Sequence, residues 1–154
     1  TQHFYTKAPQ FTFSAGTPVK IDANGTKYQF PITLKVKALG GDIYVPTVAS
    51  ITDAAGNIVA QLVVDPSTAT TSISLGTVTA SGCAETGTGY CKVAKDQEAT
   101  LTFNAYVDNS QRATDVKAKV QILKIYWGAT TALSIASDAF MVEGMVTPEQ
   151  YILH

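Results

Sequence analysis

The sequence predicts an all-β fold, a Greek-key sandwich of the immunoglobulin-like or jelly-roll-like kind with about nine to ten strands and one short disulfide loop. Three observations lead there. Apolar and polar residues alternate with a period of two over long runs, turn-forming residues separate those runs, and no stretch has the spacing of a convincing amphipathic helix.

The segment TQHFYTKAP comes first, carries Phe4 and Tyr5, and ends at Pro9, which breaks a continuous ladder. The chain is therefore divided into residues 1–9, a candidate donor strand, and a single sandwich domain over 10–154. FTFSA supplies the first strand of that domain. In KYQFPITLKVKAL, Tyr28, Phe30, Ile32, Leu34 and Val36 form the apolar face, and Pro31 predicts a sheet edge or a bulge at that point. Asn24-Gly25 just before it is a strong hairpin signal, because both central positions of such a turn favour positive φ. Asp53-Ala54-Ala55-Gly56 is read in the same way, as the turn joining TVASIT to NIVAQLVVD.

GDIYVP, TSISLGTV, YCKVAK and SDAFMVEG read as further strands. EATLTFNAYV places Ala99, Leu101, Phe103, Ala105 and Val107 inward and Thr100, Thr102, Asn104 and Tyr106 outward. DVKAKVQI repeats the pattern, then slips between Leu123 and Trp127, which predicts a bulge or burial on both sides. VTPEQYILH has the composition for at most one helical turn.

Composition narrows the chemistry. The 154 residues are 45% hydrophobic and only 15% charged, with a formal net charge of -1 and a pI near 6.0. The scattered 11 Lys and Arg give no basic track, so nucleic acid is not an expected partner. No apolar run approaches the roughly 18 residues of a membrane span. With no initiator Met at Thr1, the sequence reads as a processed, mature chain.

Cys83 and Cys91 flank a Gly- and Thr-rich loop. Their spacing lacks the paired ligands of a zinc site, and the 2 His residues, His3 and His154, lie near the termini. A disulfide closing the loop is the preferred reading and implies an oxidising compartment; two buried free thiols are the alternative.

Catalytic patterns are missing from the sequence. Neither His is placed for a hydrolytic triad, and no nucleophile elbow, phosphate loop or dinucleotide fingerprint occurs. The carboxylates sit mostly in turn contexts, so a glycosidase pair is not favoured. A calcium site from loop carboxylates such as Asp108, Asp115 and Asp138 lacks any supporting spacing. The expectation is a non-enzymatic chain without a cofactor. Tyr106 and Tyr126 are candidates for stacking on a sugar, whereas Trp127 reads as a core residue. Asn24, in Asn24-Gly25-Thr26, is a candidate glycosylation site.

The ordered set GTKYQFPITLKVKALGGDIYVP, VAKDQEATLTFNAYVDN, VKAKVQILKIYWG and closing YILH resembles immunoglobulin-like or fibronectin-like modules of exported bacterial surface proteins. That resemblance implies architecture, not activity. A weaker one, resting on the detachable N-terminal segment and the neutral Thr-rich surface, is to fibre-forming subunits in which an N-terminal strand completes the next subunit's sheet. It implies Phe4, Tyr5, Phe11 and Phe13 as subunit contacts and copies of the chain itself as partners.

The expected function is a structural protein of the cell surface, extracellular and self-associating by N-terminal strand exchange into a filament or layer. The alternatives are a carbohydrate-binding or adhesive module recognising a cell-surface glycan, and an inert stalk domain.

Overall fold

The computed structural model describes residues 7–54, 56–66, 71–85, 89–111, 114–129, 139–141 and 144–154. These residues form an all-β sandwich with no helix among them. The first sheet contains β1 (Ala8–Ala15), β2 (Val19–Lys20), β3 (Lys27–Leu39), β7 (Ser72–Leu75), β8 (Thr79–Ser81) and β11 (Glu98–Asp108). Its order is β1-β3-β11-β7, with β2 continuing the β1 edge beside β3 and β8 continuing the β7 edge beside β11.

A small sheet runs β4 (Ile43–Pro46), β10 (Tyr90–Val93), β9 (Ala84–Glu85). The last comprises β5 (Ala49–Ser50), β6 (Ile58–Asp65), β12 (Val116–Tyr126), β13 (Ala139–Met141) and β14 (Gln150–Ile152), in the order β13-β12-β6-β5, with β14 also on β12. These two sheets are joined where Tyr44 and Gly128 exchange backbone hydrogen bonds of 2.9 and 3.0 Å.

Alternation decides which side chains enter the core. Phe30, Ile32, Leu34 and Val36 of β3 meet Ala99, Leu101 and Phe103 of β11 on the inner face of the first sheet. They pack in one cluster with Ile43, Val45, Val93, Ile58, Ala60 and the β12 set Val116, Ala118, Val120, Ile122 and Ile125. Burial of this apolar area is the main favourable term for such a fold. Trp127, 4% exposed, belongs to the same core, as its sequence context suggests.

Several local expectations are refined or corrected. Pro31 marks a local edge and not a bulge: β1 pairs with β3 only as far as Ile32 and β2 only at Gln29 and Tyr28, so Pro31 has no strand partner on that side, while on the other it pairs in regular register with Asn104. Its carbonyl accepts from Gly16 N at 3.2 Å where β1 ends, and β2 resumes only opposite Gln29. The N–H that proline lacks thus falls in the gap between β1 and β2, where no ladder bond is needed.

Pro9 does not close off the N-terminal segment. It pairs with Ala38 within β1, on an edge strand, where proline is tolerated.

At Asn24-Gly25, only Gly25 has positive φ, at 72°. The turn is wider than a two-residue hairpin because Asp22 organises it. Its carboxylate accepts from the backbone N of Thr26 at 3.0 Å and of Lys27 at 3.1 Å, and from the Thr26 hydroxyl. The Thr26 hydroxyl bond is the foremost cause holding the Asp22 carboxyl below its ordinary pKa.

The segment through Asp53 is not a hairpin either, since β5 runs parallel to β6, with Ala49 opposite Ile58. The slip after Ile122 is a register shift between Ile122 and Lys124, followed by burial of Ile125, Tyr126 and Trp127. In place of a helical turn, Gln150–Ile152 forms β14.

Cys83 and Cys91 are bonded, with Cα atoms 5.8 Å apart. This disulfide points to folding in an oxidising, non-cytoplasmic compartment. Among the described residues no helix is long and apolar enough to cross a membrane.

Candidate functional site

The feature that stands out is an unfinished sheet edge. β12 covers one side of β6 from Ile58 to Asp65, but β5 covers the other side only at Ile58 and Val59. Among the described residues no strand pairs with the outer side of Ala60–Asp65. That stretch is about 20 Å long at strand rise.

Burial follows the missing neighbour. Ile58 beside β5 and Ala60 just past its end are fully buried, whereas Leu62 and Val64, inward by the same alternation but farther from β5, are only half-buried. The edge also lacks the usual guards. AQLVVD contains no Pro or Lys, while the β1–β2 edge carries Pro9, Pro18 and Lys20 and the β7–β8 edge is interrupted at Gly76–Val78. Natural edges are commonly protected by such residues or breaks.

The surface beside this edge is apolar. Val48 and Ile51 are 44% and 55% exposed. A cleft of about 270 Å³ lies where Thr47, Val48 and Ala49, leading into β5, approach Leu75 of β7 and Gly76, Thr77 and Val78 in the break before β8. The β5–β6 edge and the β7–β8 edge therefore open on the same flank of the sandwich.

The residues singled out from sequence are dispersed. Phe4 and Tyr5, with His3, lie outside the described residues. Phe11 and Phe13 sit in β1 opposite Val36 and Leu34, half-buried against the chain's own core, so in this structure they face inward rather than toward another subunit.

Tyr126 is not available for stacking. It is 6% exposed, and its hydroxyl donates to Asp53 Oδ1 at 2.6 Å while Lys124 Nζ lies 2.7 Å from Asp53 Oδ2. The Lys124 and Tyr126 contacts, in that order, hold the Asp53 carboxyl below its ordinary pKa, and the Asp53 contact raises that of Lys124. Tyr106 is half-exposed on the outer face of β11, as alternation predicts. Asn24 is exposed, but Thr26 of its sequon is 6% exposed and tied to Asp22.

The carboxylates of the calcium expectation stand apart. Asp108 bonds the Ser110 hydroxyl at 2.6 Å and Asp115 bonds Tyr151 and His154, while Asp138 lies outside the described residues. Among the described residues no three His, Cys, Asp or Glu side chains converge as metal ligands.

The β6 edge was hidden in the sequence because NIVAQLVVD reads as an ordinary strand. The absence of Pro and Lys from AQLVVD is the only signal of an unguarded edge. No protein-family model matches the chain, and no curated protein is similar to it.

Proposed function

We propose that this chain is a non-enzymatic extracellular structural protein, a self-associating subunit of a surface filament or layer joined by N-terminal strand exchange. The observation that carries this reading is the fall in burial along β6 where β5 ends. An added strand beside Ala60–Asp65 would pair the open backbone groups and complete the cover over Leu62 and Val64.

The segment ahead of β1 has the reach to do so. Residues 1–7 extend to at most about 25 Å, enough to run the length of that edge. Phe4 and Tyr5 offer aromatic side chains on opposite faces of such a strand. β1 itself stands at the far edge of the first sheet from β7, which makes a second copy the direct donor.

The test pairs negative-stain microscopy with size-exclusion chromatography of the intact chain, a chain lacking residues 1–7, and a Val63→Lys chain. Filaments or higher oligomers are expected from the intact chain, monomers from the truncation, and weakened assembly from the edge lysine. A synthetic TQHFYTKA peptide should bind the truncated chain and compete with assembly of the intact one. Unchanged assembly after truncation overturns strand exchange; a monomeric intact chain overturns self-association altogether.

A further inference from the structure

The outer face of the first sheet carries a second organised feature, independent of its edges. In register across four strands stand Ser14 of β1, Thr33 of β3, Thr102 of β11 and Thr79 of β8. Their inward neighbours fill the core, so all four side chains point to the opposite face. Neighbouring strands lie about 4.8 Å apart, which makes this a regular row of hydroxyl groups.

The row is not flat. A cleft of about 260 Å³ opens over its β3–β11–β8 portion, walled by Pro31, Thr33, Thr77, Thr79, Thr102 and Asn104. Tyr106, two residues beyond Asn104 on the same face, closes one end of this surface. Its ring lies over Gly76, where an added Cβ would sit 3.3 Å from Tyr106 Cε2. Gly76 is fixed there by its N–H, which donates to Asn104 O at 2.8 Å.

The polar groups of the cleft are largely uncommitted. Thr102 Oγ1 reaches Thr79 O at a long 3.5 Å. The side chains of Thr33, Thr79, Asn104 and Tyr106 make no hydrogen bond to a described residue.

We infer that this cleft is a binding site for a neutral polysaccharide chain. Its walls hold hydroxyl and amide groups that both donate and accept, the complement of sugar hydroxyls, and Tyr106 beside the cleft offers an aromatic ring on which a sugar face can stack. No wall residue carries a formal charge. The charged groups of this face lie at its two ends, outside the cleft: Lys35, Lys37 and Glu98 past Thr102, with Glu98 opposite Lys37, and the Lys27–Asp108 ion pair beyond Tyr106. A phosphate, a nucleic acid or an acidic glycan would find no cation in the cleft. A protein partner would find little of the apolar centre on which protein interfaces depend.

The experiment is native affinity electrophoresis of the full chain through gels containing hydroxyethylcellulose, laminarin, galactomannan or glycogen, with polygalacturonate as the acidic comparison. Retardation by at least one neutral polymer is expected, with retention reduced about tenfold in Asn104→Ala and Tyr106→Ala. Thr79→Val, at an exposed position, tests the hydroxyl row with little risk to folding, and Ser72→Ala at the far end of β7 should retain full binding. Near-ultraviolet circular dichroism checks that each variant is folded. No retardation by any neutral polymer, retention by polygalacturonate alone, or equal retention in all three cleft variants overturns the assignment.

Discussion

Asp115 holds His154, the last residue of the chain. Asp115 Oδ1 accepts the His154 backbone N–H at 3.1 Å and lies 2.7 Å from His154 Nδ1, while Oδ2 accepts the Tyr151 hydroxyl at 2.8 Å. The His154 side-chain bond, followed by that of Tyr151, places the Asp115 pKa below its ordinary value, and Asp115 in turn raises that of Tyr151.

A carboxyl depressed in the folded state stabilises fully above its unfolded pKa and loses that contribution as pH falls through the folded one. The attachment of β14 should therefore persist through the ordinary aspartate range and loosen only in stronger acid. In an NMR pH titration, the His154 amide shift should report a midpoint below that of an unstructured peptide. Asp115→Asn should abolish the transition; a midpoint at the ordinary value would show that the clasp is not formed in solution.

Leu34 stands between Phe13 on β1 and Leu101 on β11 and is fully buried. Leu34→Ala leaves a cavity in the middle of the first sheet, at a cost of about 3 kcal/mol and a fall in Tm of roughly 10 °C for a chain of this size. Calorimetry measures it, and a shift within the error of the wild type would mean the core is packed differently.

Gly82 has a φ of 76°, and a Cβ there would meet the Glu98 carbonyl oxygen at 2.5 Å. Gly82→Ala is expected to destabilise by on the order of 2 kcal/mol, since both the backbone conformation and the neighbouring strand resist it. Urea titration should show a lower midpoint with an unchanged slope.

The Cys83–Cys91 disulfide closes a short loop beside β10, with a sequence separation of 8. Loop-closure entropy makes its removal worth about 2.5 kcal/mol. Cys83→Ala/Cys91→Ala should thus unfold at lower temperature than the wild type, and reductant should shift the wild type alone.

The parts of this fold legible in the sequence are those set by alternation. β3, β11 and β12 are long enough for period two to declare both their existence and their inward sets, and Leu123 marks its own bulge by breaking the period. The failures come from contacts distant in sequence. Pro31 signals an edge, but nothing near it tells that two strands, β1 ending at Ala15 and β2 resuming opposite Gln29, share that side of β3, and nothing in TVASIT announces that β5 lies parallel to β6.

The same limit governs the sites. Tyr106 faces outward by simple alternation, but Tyr126 follows the bulge, where alternation no longer tells its face, and its hydroxyl bonds Asp53 in the segment between β5 and β6. The open edge of β6 is a property of where β5 ends, which only the folded arrangement reveals.

Asn109, fully buried after β11, receives the Thr71 hydroxyl at 2.9 Å on its side-chain oxygen and donates its backbone N–H to Thr26 O at 2.8 Å. Its amide nitrogen donates to Thr114 O at 3.1 Å and Leu153 O at 3.0 Å. One residue, through its side chain and its backbone N–H, thereby joins the segments of Thr26, Thr71, Thr114 and Leu153. Asn109 is satisfied only when the segments of Thr26, Thr71 and Leu153 are all in place, so displacing any one of them strands a buried polar group and loosens its hold on the other two.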